Sequence, residues 1–156
     1  METLHTIRKW LDKIVGTICI LLFALMVVVG SYQIITRFIF NNPSTISEEL
    51  LTYSFAWMAM FATAYVFGKR DHMRMTFVVD KLAPAQRKVL EIVLEILVIA
   101  FAVIVLIYGG FNIMGLTMTQ KTASLGVMMG QVYAVVPISG ILIAIYGILN
   151  VVDLCK

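Results

Sequence analysis

The sequence predicts an all-α integral membrane protein of four transmembrane helices, with both termini cytoplasmic and a short amphipathic segment ahead of the first helix. Three observations predict it. Four long runs contain no ionisable residue: 14–36, 50–68, 96–120 and 122–152, of 23, 19, 25 and 31 residues. About 20 apolar residues cross a bilayer as a helix, because each rises about 1.5 Å through about 30 Å of hydrocarbon. Hydrophobic residues make up 61% of the chain and charged residues 13%, against about 45–50% and about 25% in a soluble domain. Of the 12 Lys and Arg, ten lie before the first run, between the second and third, or at the C-terminus. Arg37 and Lys121 alone lie in the other two connections. Positive residues stay cytoplasmic, which orients both ends and the middle loop inward.

The predicted spans are 14–37, 47–68, 89–113 and 131–152, one four-span domain over 1–156. With 156 residues, no room remains for a soluble domain. Arg8, Lys9 and Lys13 ahead of an apolar run resemble a secretory signal, but this run exceeds the usual 7–15 residues or so and Ser31-Tyr32-Gln33 offers no Ala-x-Ala site. It reads as an uncleaved span. Leu4, Ile7, Trp10 and Leu11 recur at helical spacing opposite Arg8, Lys9 and Asp12. That pattern fits either a helix lying in the inner interface, with Trp10 at headgroup level, or a continuation of the first span.

Each further element has its own signature. Asn41-Asn42-Pro43 reads as a turn, and Thr45-Ile46-Ser47-Glu48 matches a capping box in which Thr45 and Glu48 satisfy each other's backbone N–H groups. Between Lys69 and Lys88, Met73, Met75, Phe77, Val78, Val79 and Leu82 alternate with charges, so part of this stretch is expected along the inner membrane face. Pro84 suits the first turn of the third helix. Arg87, Glu91 and Glu95 follow at one-turn spacing. Glu95, about 16 Å along that helix, must stand above the membrane edge or face a protein partner, since a charge at mid-bilayer costs about 2.5 kcal/mol or more. Pro137 should kink the fourth helix, and Gly140 and Ala144 form a small-xxx-small pair where another helix can approach.

Few residues invite chemistry. His5 and His72 both fall outside the spans, no metal-ligand spacing occurs, and no phosphate loop is present. Catalytic, cofactor-binding and metal residues are therefore expected to be none, and the chain is expected not to be an enzyme. Basic residues sit at membrane edges, without the aromatic interleaving a nucleic acid requires. Cys19 and Cys155 read as free thiols. Candidate interface or ion-pair residues remain. Arg37 would pair with Glu48 or Glu49, or reach the phosphate layer. Trp57, Tyr53 and Tyr65 are expected as packing or belt residues, with substrate binding the alternative. Arg70 and His72 lie in an inner loop that is either solvated or docks another membrane subunit. Glu91, Glu95 and Lys121 complete the set. The spans offer only Ser, Thr, Tyr and Gln33 centrally, and a self-contained transporter needs polar groups there. This favours a helper over a solute-carrying pore. A stand-alone proton-coupled exporter using Glu95, and a haem-bearing respiratory anchor lacking in-span His, are the alternatives.

Several pieces in order resemble the small membrane subunit of tripartite ATP-independent periplasmic (TRAP) transporters across nearly the whole chain. They are Ser31-Tyr32-Gln33-Ile34-Ile35-Thr36-Arg37-Phe38, Ile46-Ser47-Glu48-Glu49, Phe55-Ala56-Trp57, Gly68-Lys69-Arg70-Asp71-His72-Met73-Arg74-Met75, and Thr122-Ala123-Ser124-Leu125-Gly126 leading to Tyr133 and Pro137-Ile138-Ser139-Gly140. The family typically has Trp where this chain has Ile46. The resemblance implies a non-catalytic scaffold in the bacterial inner membrane. Its partners would be membrane lipid, a large multi-span subunit that moves substrate and sodium by an elevator motion, and a periplasmic substrate-binding protein. The cargo would be an organic acid such as sialic acid or a C4-dicarboxylate.

Overall fold

A computed structural model describes residues 2–69 and 84–155. Apolar runs with little else to do become long helices: α1 (Glu2–Phe38), α2 (Thr45–Lys69), α3 (Pro84–Phe101), α4 (Gly110–Thr117), α5 (Met129–Tyr133) and α6 (Val135–Cys155). A π-helical stretch, Ala102–Gly109, joins α3 to α4 in one rod. Among the described residues, four helices are long and apolar enough to cross a membrane: Thr6–Phe38, Thr45–Lys69, Gln86–Thr117 and Met129–Leu154. Of the two readings for the N-terminal segment, continuation holds: α1 runs unbroken from Glu2 into the first span.

The rods are not equivalent. Half of the most apolar window of the fourth is buried inside the chain, against 6% for the first and third. The fourth is therefore the axis. It packs on α2, on α3 and on the π-helical stretch, while α1 packs mainly on α2. One core joins Val15, Phe61 and Val135; a second joins Ala64, Ala102 and Ile143. The first and third rods turn Ile20, Leu21, Phe23, Leu97, Phe101 and Ile104 outward, as helices bathed in lipid or covered by other helices do.

Close approach at the axis is made by glycines. A Cβ on Gly140 would stand 2.7 Å from Leu106 Cβ, and one on Gly130 would stand 2.5 Å from the Met114 carbonyl oxygen. The small-residue approach expected at Gly140 is thus taken by the chain's own third rod.

Two local expectations are corrected or sharpened. The cap of α2 is Ser44, one residue before the expected Thr45: its hydroxyl accepts from the Ser47 N–H at 3.3 Å, the geometry of an N-cap to the third helical residue. The Glu48 side chain therefore has no capping role. The kink expected from Pro137 is an interruption at Ala134, between α5 and α6. Pro137 has no N–H to give the Tyr133 carbonyl one turn earlier.

Candidate functional site

Polar side chains gather at two places, one at each end of the bundle. At the end carrying the termini, α1 contributes Arg8 and Asp12, one turn apart, and α6 contributes Tyr146, Asn150 and Asp153 on one face. Arg8 pairs with Asp153 at 3.1 Å and donates to the Asn150 side-chain oxygen. The Asn150 amide donates to Glu95 of α3 at 3.2 Å and to the Phe67 carbonyl of α2 at 3.3 Å. Asn150, only 1% exposed, thereby touches all four rods. Beside it the Tyr146 hydroxyl donates to Asp12 at 2.8 Å. The ring of Tyr146 lies where a Cβ on Gly68 would come within 2.5 Å, so glycine at 68 is what admits it. Fully buried polar groups are tolerated when they are paired in this way.

At the opposite end, Glu49, Tyr53 and Trp57 recur every fourth residue and form one stripe of α2. The Glu49 carboxylate accepts backbone N–H groups from Ala123, Ser124 and Leu125 at 3.1, 2.8 and 2.7 Å. The Tyr53 hydroxyl donates to the same carboxylate at 2.8 Å. Trp57 Nε1 donates to the Val132 carbonyl at 2.9 Å, and its ring meets Phe61 edge-on. The gripped loop is closed upon itself: the Thr122 N–H donates to the Val127 carbonyl and the Met129 N–H to the Gln120 carbonyl, each at 2.8 Å. Gly126 turns the loop at φ +68°. Three converging N–H groups form an anion-binding concavity, and a carboxylate of the chain itself fills it.

The expected residues divide accordingly. The ion pair expected of Arg37 with Glu48 or Glu49 is not formed: Glu49 is held by the loop, and the Arg37 guanidinium lies over the Phe38 ring at 6.0 Å. Glu95 accepts a hydrogen bond from Asn150 of its own chain at 3.2 Å. Arg87 and Glu91 form their one-turn pair at 3.3 Å. Lys121 is exposed at the edge of the closed loop, and Trp57 belongs to the stripe above. Arg70 and His72, with the segment expected along the inner membrane face, lie outside the described residues. Cys19 is a free, half-buried thiol at the first core.

Sequence reasoning passed over Asn150, Tyr146 and Asp153. The signal was present: Asn150 is the lone Asn in the 31-residue final run, one turn from Tyr146 and three residues from Asp153. A cavity of about 320 Å³ between the second, third and fourth rods is walled by Met60, Phe67, Leu94, Val98 and Ile143, with Thr63 as its one polar side chain and no charged group. Among the described residues, no group of three or more His, Cys, Asp or Glu is placed to hold a metal.

The fold and its two internal clasps define a small multi-pass membrane protein whose polar groups join its own helices. Residues 26–156 match the family described as tripartite ATP-independent periplasmic transporters, DctQ component, and the chain belongs to that family. It is 30% identical to the sialic acid TRAP transporter small permease protein SiaQ of Vibrio cholerae, over 98% of this chain and 88% of that one. It is 24% identical to a Haemophilus influenzae protein provisionally named a TRAP transporter small permease, over 90% of this chain and 87% of that one. It also matches the sialic acid TRAP transporter permease protein SiaT of Haemophilus influenzae at 23% identity, over 91% of this chain but 22% of that longer one.

Proposed function

We propose that this chain is the fixed, non-catalytic scaffold of a sodium-coupled importer of organic acids in the bacterial inner membrane. It buttresses a large elevator-type subunit and helps dock a periplasmic binding protein. The observation that carries this reading is the spending of polar groups. Glu95, the most deeply placed acid of the third rod, is taken by Asn150, and Glu49 is taken by the loop it holds. Neither is left for a cargo or a driving ion, whereas the first and third rods keep broad apolar faces for neighbours. The relatives named for sialic acid support that acid as the first candidate cargo to test. The relative whose longer chain includes a segment like this one supports a partnership with a large permease. Lys and Arg bias supports cytoplasmic termini, so the Glu49 clasp and Lys121 face the periplasm.

Reconstitution tests this directly. Liposomes holding this chain with its large permease, a sodium gradient and the binding protein should accumulate labelled sialic acid or a C4-dicarboxylate; this chain alone should not. Transport by the chain alone, abolished by Glu95→Gln, would instead establish the stand-alone exporter.

A further inference from the structure

The first turns of α1 separate their charges. Arg8 and Asp12 turn inward and are bound by Asp153, Asn150 and Tyr146. Lys9 and Lys13, one turn apart, are exposed on the outward side. No described carboxylate lies within ion-pair distance of either lysine. Between them stands Trp10, 62% exposed, with Lys13 Nζ 5.8 Å from its ring centroid. Ile7 and Ile14 complete an outward apolar stripe with Trp10, and Ile14, Leu21 and Val28 carry it on at seven-residue spacing, all exposed. Lys13 is the last ionisable residue before the 23-residue apolar run.

We propose that this face binds an anionic phospholipid, its headgroup held by Lys9 and Lys13 against Trp10 and one acyl chain lying along Ile14, Leu21 and Val28. Both halves of the ligand are matched. Two ammonium groups at the start of a span, without a described carboxylate beside them, call for an excess negative charge at headgroup depth, and an indole ring is at home there. The apolar track beneath them continues for about four turns into the hydrocarbon. An acidic protein segment would satisfy the lysines but has no use for that track. The inference does not depend on which transporter the chain serves.

Tryptophan quenching by brominated lipid reports it. The full chain carrying Trp57→Phe leaves Trp10 as the only indole, and Trp10→Phe supplies the matching control. In phosphatidylcholine vesicles containing brominated phosphatidylglycerol, Trp10 should be quenched as if that lipid were about 5- to 30-fold enriched beside it, the factor given by one to two favourable lysine–headgroup interactions. Brominated phosphatidylcholine should show no enrichment. Lys9→Gln with Lys13→Gln should abolish the preference while leaving the helix content unchanged, and the same pair in the Trp10→Phe control should leave the Trp57 signal unchanged. Equal quenching by both lipids, a preference that survives the double substitution, or no quenching at all would each overturn the proposal. The last of these would show that water or protein covers the face.

Discussion

Asn150 illustrates how much a single amide can hold in a membrane interior. Its oxygen receives Arg8 and its nitrogen serves Glu95 and the Phe67 carbonyl, so its loss strips partners from a guanidinium and a carboxylate together. Interhelical hydrogen bonds in membranes average about 0.6 kcal/mol, and weakening the pairing of buried charges adds to that. Asn150→Leu should therefore destabilise the chain by about 2–3 kcal/mol, read as a lower unfolding temperature in detergent. Glu49→Gln is a different kind of change. It keeps one acceptor oxygen for what are now three N–H groups and a hydroxyl. Amide exchange at Ala123, Ser124 and Leu125 should quicken, while the body of α2 keeps its protection. Uniform exchange across the loop and helix in both proteins would refute the clasp. These two residues also differ in legibility. Glu49 stands out in the sequence as the carboxylate just outside the expected capping box, yet its true partner is a set of backbone N–H groups about 75 residues away that converge only once the loop has closed. Asn150 is visible as an isolated amide in an apolar run, but its significance depends on Arg8, Glu95 and Phe67 arriving from three other helices.

At the scale of elements, span number and helix class were legible because hydropathy alone decides them: in lipid the backbone must satisfy itself, and a helix does so. The π-helical stretch Ala102–Gly109 was not legible, since its sequence is uniformly apolar and no side chain marks the widening. The glycines of the third and fourth rods make the packing testable. Gly130→Ala places a methyl against the Met114 carbonyl oxygen at 2.5 Å. Backbone yields poorly, so overpacking should cost about 1–3 kcal/mol. Gly115→Ala meets nothing within 4 Å and should be neutral or slightly stabilising, as replacing a helical glycine is. The two substitutions are chemically identical and lie in the same hairpin. Equal melting temperatures would show that the α4–α5 approach is not as close as described.

The whole molecule has one property that charge bias supports and packing does not determine, which is its direction across the bilayer. Ten basic residues on one side and two on the other favour cytoplasmic termini, and the Glu49 clasp then becomes a periplasmic feature. A rigid loop displayed there would suit docking, and the same loop displayed to the cytoplasm would not. Single cysteines decide between them. In a background lacking Cys19 and Cys155, Ala123→Cys sits on the exposed side of the clasped loop and Gln86→Cys on the exposed first turns of α3. A membrane-impermeant maleimide added to intact spheroplasts should label the first at once and the second only after lysis. The reverse pattern would place the clasp inside and remove the periplasmic docking role, while leaving the four-helix fold and the internal polar joints untouched. Labelling of both before lysis would point to a mixed topology, which a fixed scaffold cannot have. Because both positions lie on described, exposed surface, a failure to label Ala123→Cys in intact cells containing the large permease, but not in cells lacking it, would localise a partner on the loop itself.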